Sequence, residues 1–239
     1  MQRKPAPDHE AIYRHRAAEY DQLVSREDYQ GHLLPALQRI RSLEGLAVVE
    51  FGAGTGRLTA LLTPHVRRIQ AFDASPPMLD VARARLEAAG PRNWRLAVGD
   101  HRAVSAEDGI ADLAISGWSI CYVVQERPDS WREELERALA EMRRVLRPDG
   151  HVVLIETLGT GREQPLAPDR LAAYYDYLRL AGFDHAWIRT DYRFRDRAEA
   201  ERLTRFFFGE SMVGKIQTGD QGIILPECTG LWWRHRGNR

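Results

Sequence analysis

Glu50 closes an apolar run, and three glycines follow it at alternate positions, Gly52, Gly54 and Gly56, in VVEFGAGTGRL. A glycine has no Cβ, so its backbone adopts φ > 0 easily and a ligand can lie directly against it. An apolar strand that runs into such a loop and then into a helix is the arrangement that holds nucleotide-like ligands. Asp73 closes a second apolar run about twenty residues later, where a carboxylate can accept both hydroxyls of a ribose. Asp100 closes a third run, in GDHRA, and is placed to accept a hydrogen bond from an adenine amino group.

Two other readings of the loop compete. A dinucleotide fingerprint, G-x-G-x-x-G/A, would make the protein a nicotinamide-dependent oxidoreductase. With Gly52 and Gly54 as its first glycines it needs Gly or Ala at position 57, which is Arg57. A plain tight turn would not call for so many glycines, since each one gives up side-chain packing and adds chain entropy to be lost on folding.

These residues must be positioned by the elements around them. LAVVEF reads as a buried strand, and RIQAFD, WRLAVG, ADLAIS and GHVVLIE as four more strands, with helical patterns between them. SPPMLDVARARLEAAG has Ser75 as N-cap, prolines in its first turn and Gly90 as its stop. In the helix that begins at Ser130, Leu135, Leu139, Met142 and Leu146 share a face. Alternating strands and helices imply parallel strands with right-handed crossovers, hence an open, doubly wound α/β sheet whose ligands sit beyond the strands' carboxyl ends. Beyond the fifth strand the pattern predicts a helix in PDRLAAYYDYLRLAGF with Asp169 as N-cap and Gly182 as stop. It then predicts a long strand in HAWIRTDYRF, a helix opened by Asp196 and Glu199, and a closing strand in GIILPECTGLWWRHR. Residues 8 to 42 read as amphipathic helices.

Composition narrows the field. The chain has 239 residues, which favours one decorated domain, and 34 basic residues balance 34 acidic ones. Without a global field, a nucleic-acid partner is not expected, and the basic RHRGNR end reads as a solvated tail. No leader and no membrane-spanning run is read, so no membrane partner is expected. Cys121 and Cys228 are distant and in apolar settings, which reads as two reduced thiols in a cytoplasmic protein. The histidines show no metal-ligand spacing, so no zinc site is expected.

VVEFGAGTGRLTALL, FDASPPMLDVARARL, GDHRAV, DGIADLAISGWSICYV and ALAEMRRVLRPDGHVVLIET resemble, in order, the successive motifs of the class I S-adenosylmethionine (SAM)-dependent methyltransferases. The resemblance covers residues 45 to 160 well, and the order of elements fits as far as residue 235. It implies a Rossmann-like, seven-stranded, mostly parallel sheet with an antiparallel last strand. With the amphipathic pattern before the first strand, the expected division is a helical cap over residues 1–42 of the same domain and a methyltransferase domain over 43–239 with a helical insertion at about 195–215. As roles, the resemblance implies Gly52, Ala53, Gly54 and Gly56 against the methionine part, and Glu50 behind the loop toward its amino group. It puts Asp73 on the ribose, Ala74 and Met78 on the adenine faces, and Asp100 with the His101 backbone on the adenine edge. Ser116, Gly117 and Trp118 would lie beside the donor methyl, and Tyr20, in AAEYDQLV, would close the cofactor site. The ribose contact is shared by NAD and SAM and does not decide between them, whereas five motifs in order do.

The expected reaction is metal-independent methyl transfer to a small molecule, with S-adenosylhomocysteine (SAH) as product. SGWS lacks the amide clamp of enzymes that methylate nucleobase or glutamine nitrogens, and SGWSICYV lacks the acids of metal-dependent catechol methylation. Substrate-wall candidates are Tyr13, Trp118, Tyr122 and Tyr174, with Tyr175, Tyr177 and Phe206 to Phe208 as further aromatics that core packing would explain equally well. His101, Tyr122 and Glu156 are the candidate bases, and none stands out. A catalytically silent SAM-binding sensor or partner protein is the alternative outside catalysis, and a monomer or a homodimer fits equally. The N-terminal helices, through residue 30, are expected to act as a lid.

Overall fold

The computed structural model describes residues 7–126 and 128–237. The opening MQRKPA, and Asn238 and Arg239 of the tail, lie outside the described residues. Three helices lead in: α1 (His9–His15), α2 (Ala17–Val24) and α3 (Leu33–Ile40). Then follow β1 (Ala47–Phe51), α4 (Arg57–Leu62), β2 (Arg68–Asp73), α5 (Pro76–Ala89), β3 (Trp94–Val98), β4 (Ala111–Gly117), α6 (Ile120–Glu126), α7 (Trp131–Val145) and β5 (Leu146–Thr160). The last part holds α8 (Asp169–Leu180), β6 (Asp184–Arg189), β7 (Tyr192–Phe194), α9 (Arg197–Phe208), α10 (Glu210–Val213), β8 (Gln217–Gly219), β9 (Gly222–Leu225) and β10 (Glu227–His235).

The main sheet has seven strands in the order β3-β2-β1-β4-β5-β10-β6. β1 pairs in parallel with β2 and β4, and β10 runs antiparallel between β5 and β6. All five residues of β1 are buried, as a strand with helices on both faces must be. The expected doubly wound sheet with one antiparallel strand, the last in the chain, is what is found. One core layer gathers α6, α7 and α8 around Leu135, Leu139, Met142 and Leu178, and the other sets Leu33 and Leu37 of α3 against Leu58 and Leu62 of α4.

Local chemistry accounts for the element ends. Pro76 and Pro77 open α5, and Gly90, at φ 101°, closes it. Asp196 caps α9 by accepting from the Glu199 amide at 2.7 Å. Three expectations need correction. Pro168, not Asp169, is the N-cap of α8, so the Asp169 charge sits in the first turn. HAWIRTDYRF is two strands, because buried Thr190 and Asp191 turn the chain out of the main sheet. The Thr190 amide donates to the Glu227 carbonyl, and the Asp191 carboxylate accepts from Arg189 and from the Glu227 amide. GIILPECTGLWWRHR is likewise two strands, divided at Pro226, which has no amide hydrogen. The released strands form a second, antiparallel sheet, β7-β9-β8, under α9.

The N-terminal helices differ in how firmly they are tied. Leu23 of α2 is fully buried among Tyr192, Phe194, Leu203 and Leu225. Main-chain bonds join Asp28 to Thr190, Tyr29 to Asp191 and Arg193 to Arg26. α1 buries only Ile12.

Candidate active site

A cavity of about 470 Å³ opens beyond the carboxyl ends of β1, β2 and β4, where ligands of doubly wound sheets bind. Gly52, Ala53, Gly54 and Thr55 line it on the β1 side, and Asp73, Ala74, Ser75 and Met78 on the β2 side. His101, Gly117, Trp118, Ser119 and Tyr122 face them, and Tyr13 and Tyr20 cover the top from α1 and α2.

The loop's geometry is set by backbone bonds. The Gly52 and Ala53 amides both donate to the Phe72 carbonyl at 2.8 Å. The Gly54 amide donates to one Asp73 oxygen and the Ser75 amide to the other, each at 2.8 Å. Asp73 therefore ties the loop to the start of α5. Burial raises its pKa, and the two amides oppose that rise.

Glu50 lines the floor, fully buried, and accepts from the Thr59 hydroxyl at 2.6 Å. Burial pushes its carboxyl up to about 8. Arg57 stands beside it. Its guanidinium lies 4.1 Å from the centre of the Trp118 ring and pairs with buried Glu27 at 3.0 Å. Trp118 itself takes φ 50°, unusual for a bulky residue, immediately after β4. Tyr13 hydrogen-bonds to the Tyr122 hydroxyl, linking α1 to α6. The Tyr20 ring packs between Tyr13 at 5.3 Å and Phe207 at 5.2 Å. Burial raises the pKa of all three phenols, so they stay protonated.

The structure thus gathers Tyr13, Tyr20, Glu50, Gly52, Ala53, Gly54, Asp73, Ala74, Met78, His101, Gly117, Trp118 and Tyr122 around one cavity. Five expected site residues lie elsewhere. Asp100 is turned away by Arg102, which holds both of its oxygens at 2.6 Å and pulls its pKa down to about 2. Gly56 serves packing, since a Cβ there would meet the Ala82 Cβ of α5 at 3.0 Å. Ser116 is fully buried within β4. Tyr174 is core: it is fully buried and its hydroxyl donates to Glu156 at 3.3 Å. Glu156 faces α6 and α8, accepting from the Cys121 amide at 3.0 Å, and burial lifts it to about 7. Several wall residues carry no signal of a site in the sequence, among them Ser119, beside Trp118, and Arg57, whose position breaks the dinucleotide glycine pattern. Among the described residues, no three of His, Cys, Asp and Glu cluster as metal ligands would.

The buried acids set a pH dependence. Glu50 and Glu227 rise to about 8 and Glu156 to about 7, against an ordinary 4.5. The folded protein therefore holds protons that the unfolded chain has released, and stability falls as pH rises through that window. His101, pushed down to about 4 by burial, acts oppositely, but only below its ordinary 6.5. The thermal midpoint of the unliganded protein should thus fall between pH 6.5 and 8, and Glu50→Gln should make the fall shallower. A midpoint rising across that interval would contradict the burial of these carboxyls.

Residues 49–154 match the family described as a methyltransferase domain. This match supports reading the chain as a class I SAM-dependent methyltransferase. Over 122 residues it is 36% identical to a malonyl-[acyl-carrier protein] O-methyltransferase of Serratia marcescens, an alignment covering 51% of this chain and 42% of that one. It is 29% identical over 152 residues to a demethylmenaquinone methyltransferase of Lactococcus lactis, covering 61% and 57%. The chain thus spans about half the length of these curated relatives. The methyltransferase fold is shared with a YcgJ protein from Bacillus, at TM-score 0.58 and 15% identity, covering 87% of this chain and all of that one. It is shared also with a SAM-dependent methyltransferase from Aquifex aeolicus, at TM-score 0.54 and 14% identity, covering 83% and 87%.

Proposed function

We propose that the protein transfers the methyl group of SAM to a small-molecule acceptor, without a metal, in the cytoplasm, as a monomer or homodimer. The observation that carries this reading is the cavity's two-sided character. A bare glycine loop and two acids face a wall of Tyr13, Tyr20, Trp118 and Tyr122. The residues suit the cofactor. A Cβ on Gly54 would find only the Met78 Cε, at 3.7 Å, so the glycine leaves space along the cavity floor. Asp73 would hold the ribose, Ala74 and Met78 the adenine, Gly52 to Gly54 the methionine part, and Glu50 its amino group. Bound SAM supplies a methyl group activated by a positive sulfonium.

The protein's own contribution is alignment and exclusion of water, which matter most where charge disappears in the reaction. The aromatic wall desolvates the acceptor, and neutral phenols do so without adding charge. Malonyl-[acyl-carrier protein] and demethylmenaquinone, in the names of two relatives, support an acceptor that is not nucleic acid. The test is turnover of methyl-labelled SAM against a panel of phenols, alcohols, amines, carboxylic acids and thiols. Transfer to one class is expected. SAM binding with no transfer to any of them would favour a silent sensor.

The lid belongs to α1 rather than to the whole N-terminal segment. Its ties across the cavity are Tyr13 to Tyr122, the Ser75 hydroxyl to the Tyr13 carbonyl at 3.1 Å, and His9 to the Phe207 carbonyl at 3.0 Å. Elements with little buried apolar surface open first. Residues 9–15 should exchange amide hydrogen faster than β1, and SAH should slow them. Amides of residues 23–29 that bond to the core should stay protected in both states. Equal protection of α1 and β1 without ligand would make α1 permanent cover.

A further inference from the structure

We propose that Ser119, held by His101, is the side chain that meets the atom to be methylated. We further propose that it selects acceptors whose reacting atom carries a hydrogen, such as a hydroxyl or an amine. The assignment rests on the methyltransferase reading above.

Three strand ends converge on this pair: Gly52 follows β1, His101 follows β3 and Ser119 follows β4. His101 Nε2 and Ser119 Oγ lie 2.7 Å apart, and both residues line the cavity. Room for them exists only because Gly52 is bare. A Cβ there would stand 1.9 Å from Ser119 Oγ and 3.0 Å from His101 Nε2. The first glycine of the loop therefore makes way for a polar pair of the protein's own, not for ligand alone.

Burying an imidazole costs free energy unless its polar atoms find partners. Burial keeps His101 neutral at pH 7, and a neutral imidazole has one nitrogen free to accept. The cofactor would bring a positive sulfonium to this part of the cavity. Positive charge attracts the lone pairs of a hydroxyl and repels its hydrogen. With the cofactor bound, Ser119 therefore turns its hydrogen to His101 Nε2 and its lone pairs to the cavity. An oxygen so oriented accepts from O–H or N–H and disfavours a carboxylate. Without His101 the hydroxyl would rotate freely, so His101 is a positioning residue and Ser119 the one that touches the acceptor.

Sinefungin tests this without knowledge of the acceptor. It carries an amine-bearing carbon where SAM has its methyl-bearing sulfur, whereas SAH has a bare sulfur there. Both are titrated calorimetrically into the wild-type protein and into Ser119→Ala, His101→Leu and His101→Gln. The affinity for SAH, which has no group at the methyl position, is the reference in all four. Ser119→Ala and His101→Leu should weaken sinefungin about ten- to a hundred-fold, the loss expected for one hydrogen bond to a charged group. His101→Gln, whose amide oxygen can still accept from Ser119, should restore most of that affinity. An unchanged sinefungin-to-SAH ratio in Ser119→Ala would overturn the assignment. That variant removes one atom, so it decides the matter even if His101→Leu does not fold. Failure of the wild-type protein to bind either compound would instead overturn the methyltransferase reading, and the assignment with it.

Discussion

Asp73→Ala should weaken SAM binding roughly 100-fold, about 3 kcal/mol, as expected when charged hydrogen bonds are lost. Two losses combine in this variant. The proposed ribose contacts disappear, and the Gly54 and Ser75 amides lose the carboxylate that accepts from both at 2.8 Å. The loop then no longer has its tie to α5. Asp73→Asn separates the two. Its single amide oxygen can keep one backbone amide but cannot serve both, and it has no charge to offer the ribose. It should therefore bind with an affinity between those of wild type and alanine. Calorimetric titration reads the affinities, and a thermal melt should show a smaller change, since folding loses only the two amide contacts. Affinity within two-fold of wild type in Asp73→Ala would remove the residue from the site.

Gly54→Val should abolish measurable SAM binding while leaving a folded protein. Gly54 takes φ 53°, a region that costs an L residue about 1–2 kcal/mol. Its side chain would enter the cavity, where the nearest atom is the Met78 Cε at 3.7 Å, so nothing in the core is pushed aside. The space it fills is the space proposed for the methionine moiety. Gly56→Ala makes the contrast. There the Cβ meets Ala82 at 3.0 Å, so stability should fall because α4 and α5 are forced apart. A Gly54→Val protein that bound SAM normally would show that this part of the loop does not touch the cofactor.

The centre of the main sheet is legible because its strands are buried on both faces and read as continuous apolar runs, as AVVEF does. Its site could be placed from the strand ends alone. What escaped depended on side-chain direction and on short pairings. Asp100 stands at the expected strand end, but Arg102, two residues on, folds back and takes its carboxylate. No pattern of spacing reveals that local bond. Tyr174 lies on a helix that carries aromatics on more than one face, and periodicity does not say which face meets the core and which a cavity. Glu156 also stands at a strand end, but it bonds to the Cys121 amide and the Tyr174 hydroxyl rather than lining the cavity. The small sheet was invisible because β7 and β8 have only three residues each, too few for an alternation to show. Ser119 is the instructive omission. Its value comes from His101, eighteen residues earlier, and only the fold brings the two to 2.7 Å.

The cavity should hold SAM and not a dinucleotide. Parallel calorimetric titrations of the wild-type protein with SAM, SAH and NAD test it most directly. Saturable binding of SAM and SAH at one site per chain, with no heat from NAD, is the predicted result. Tight NAD binding with none of SAM would contradict it.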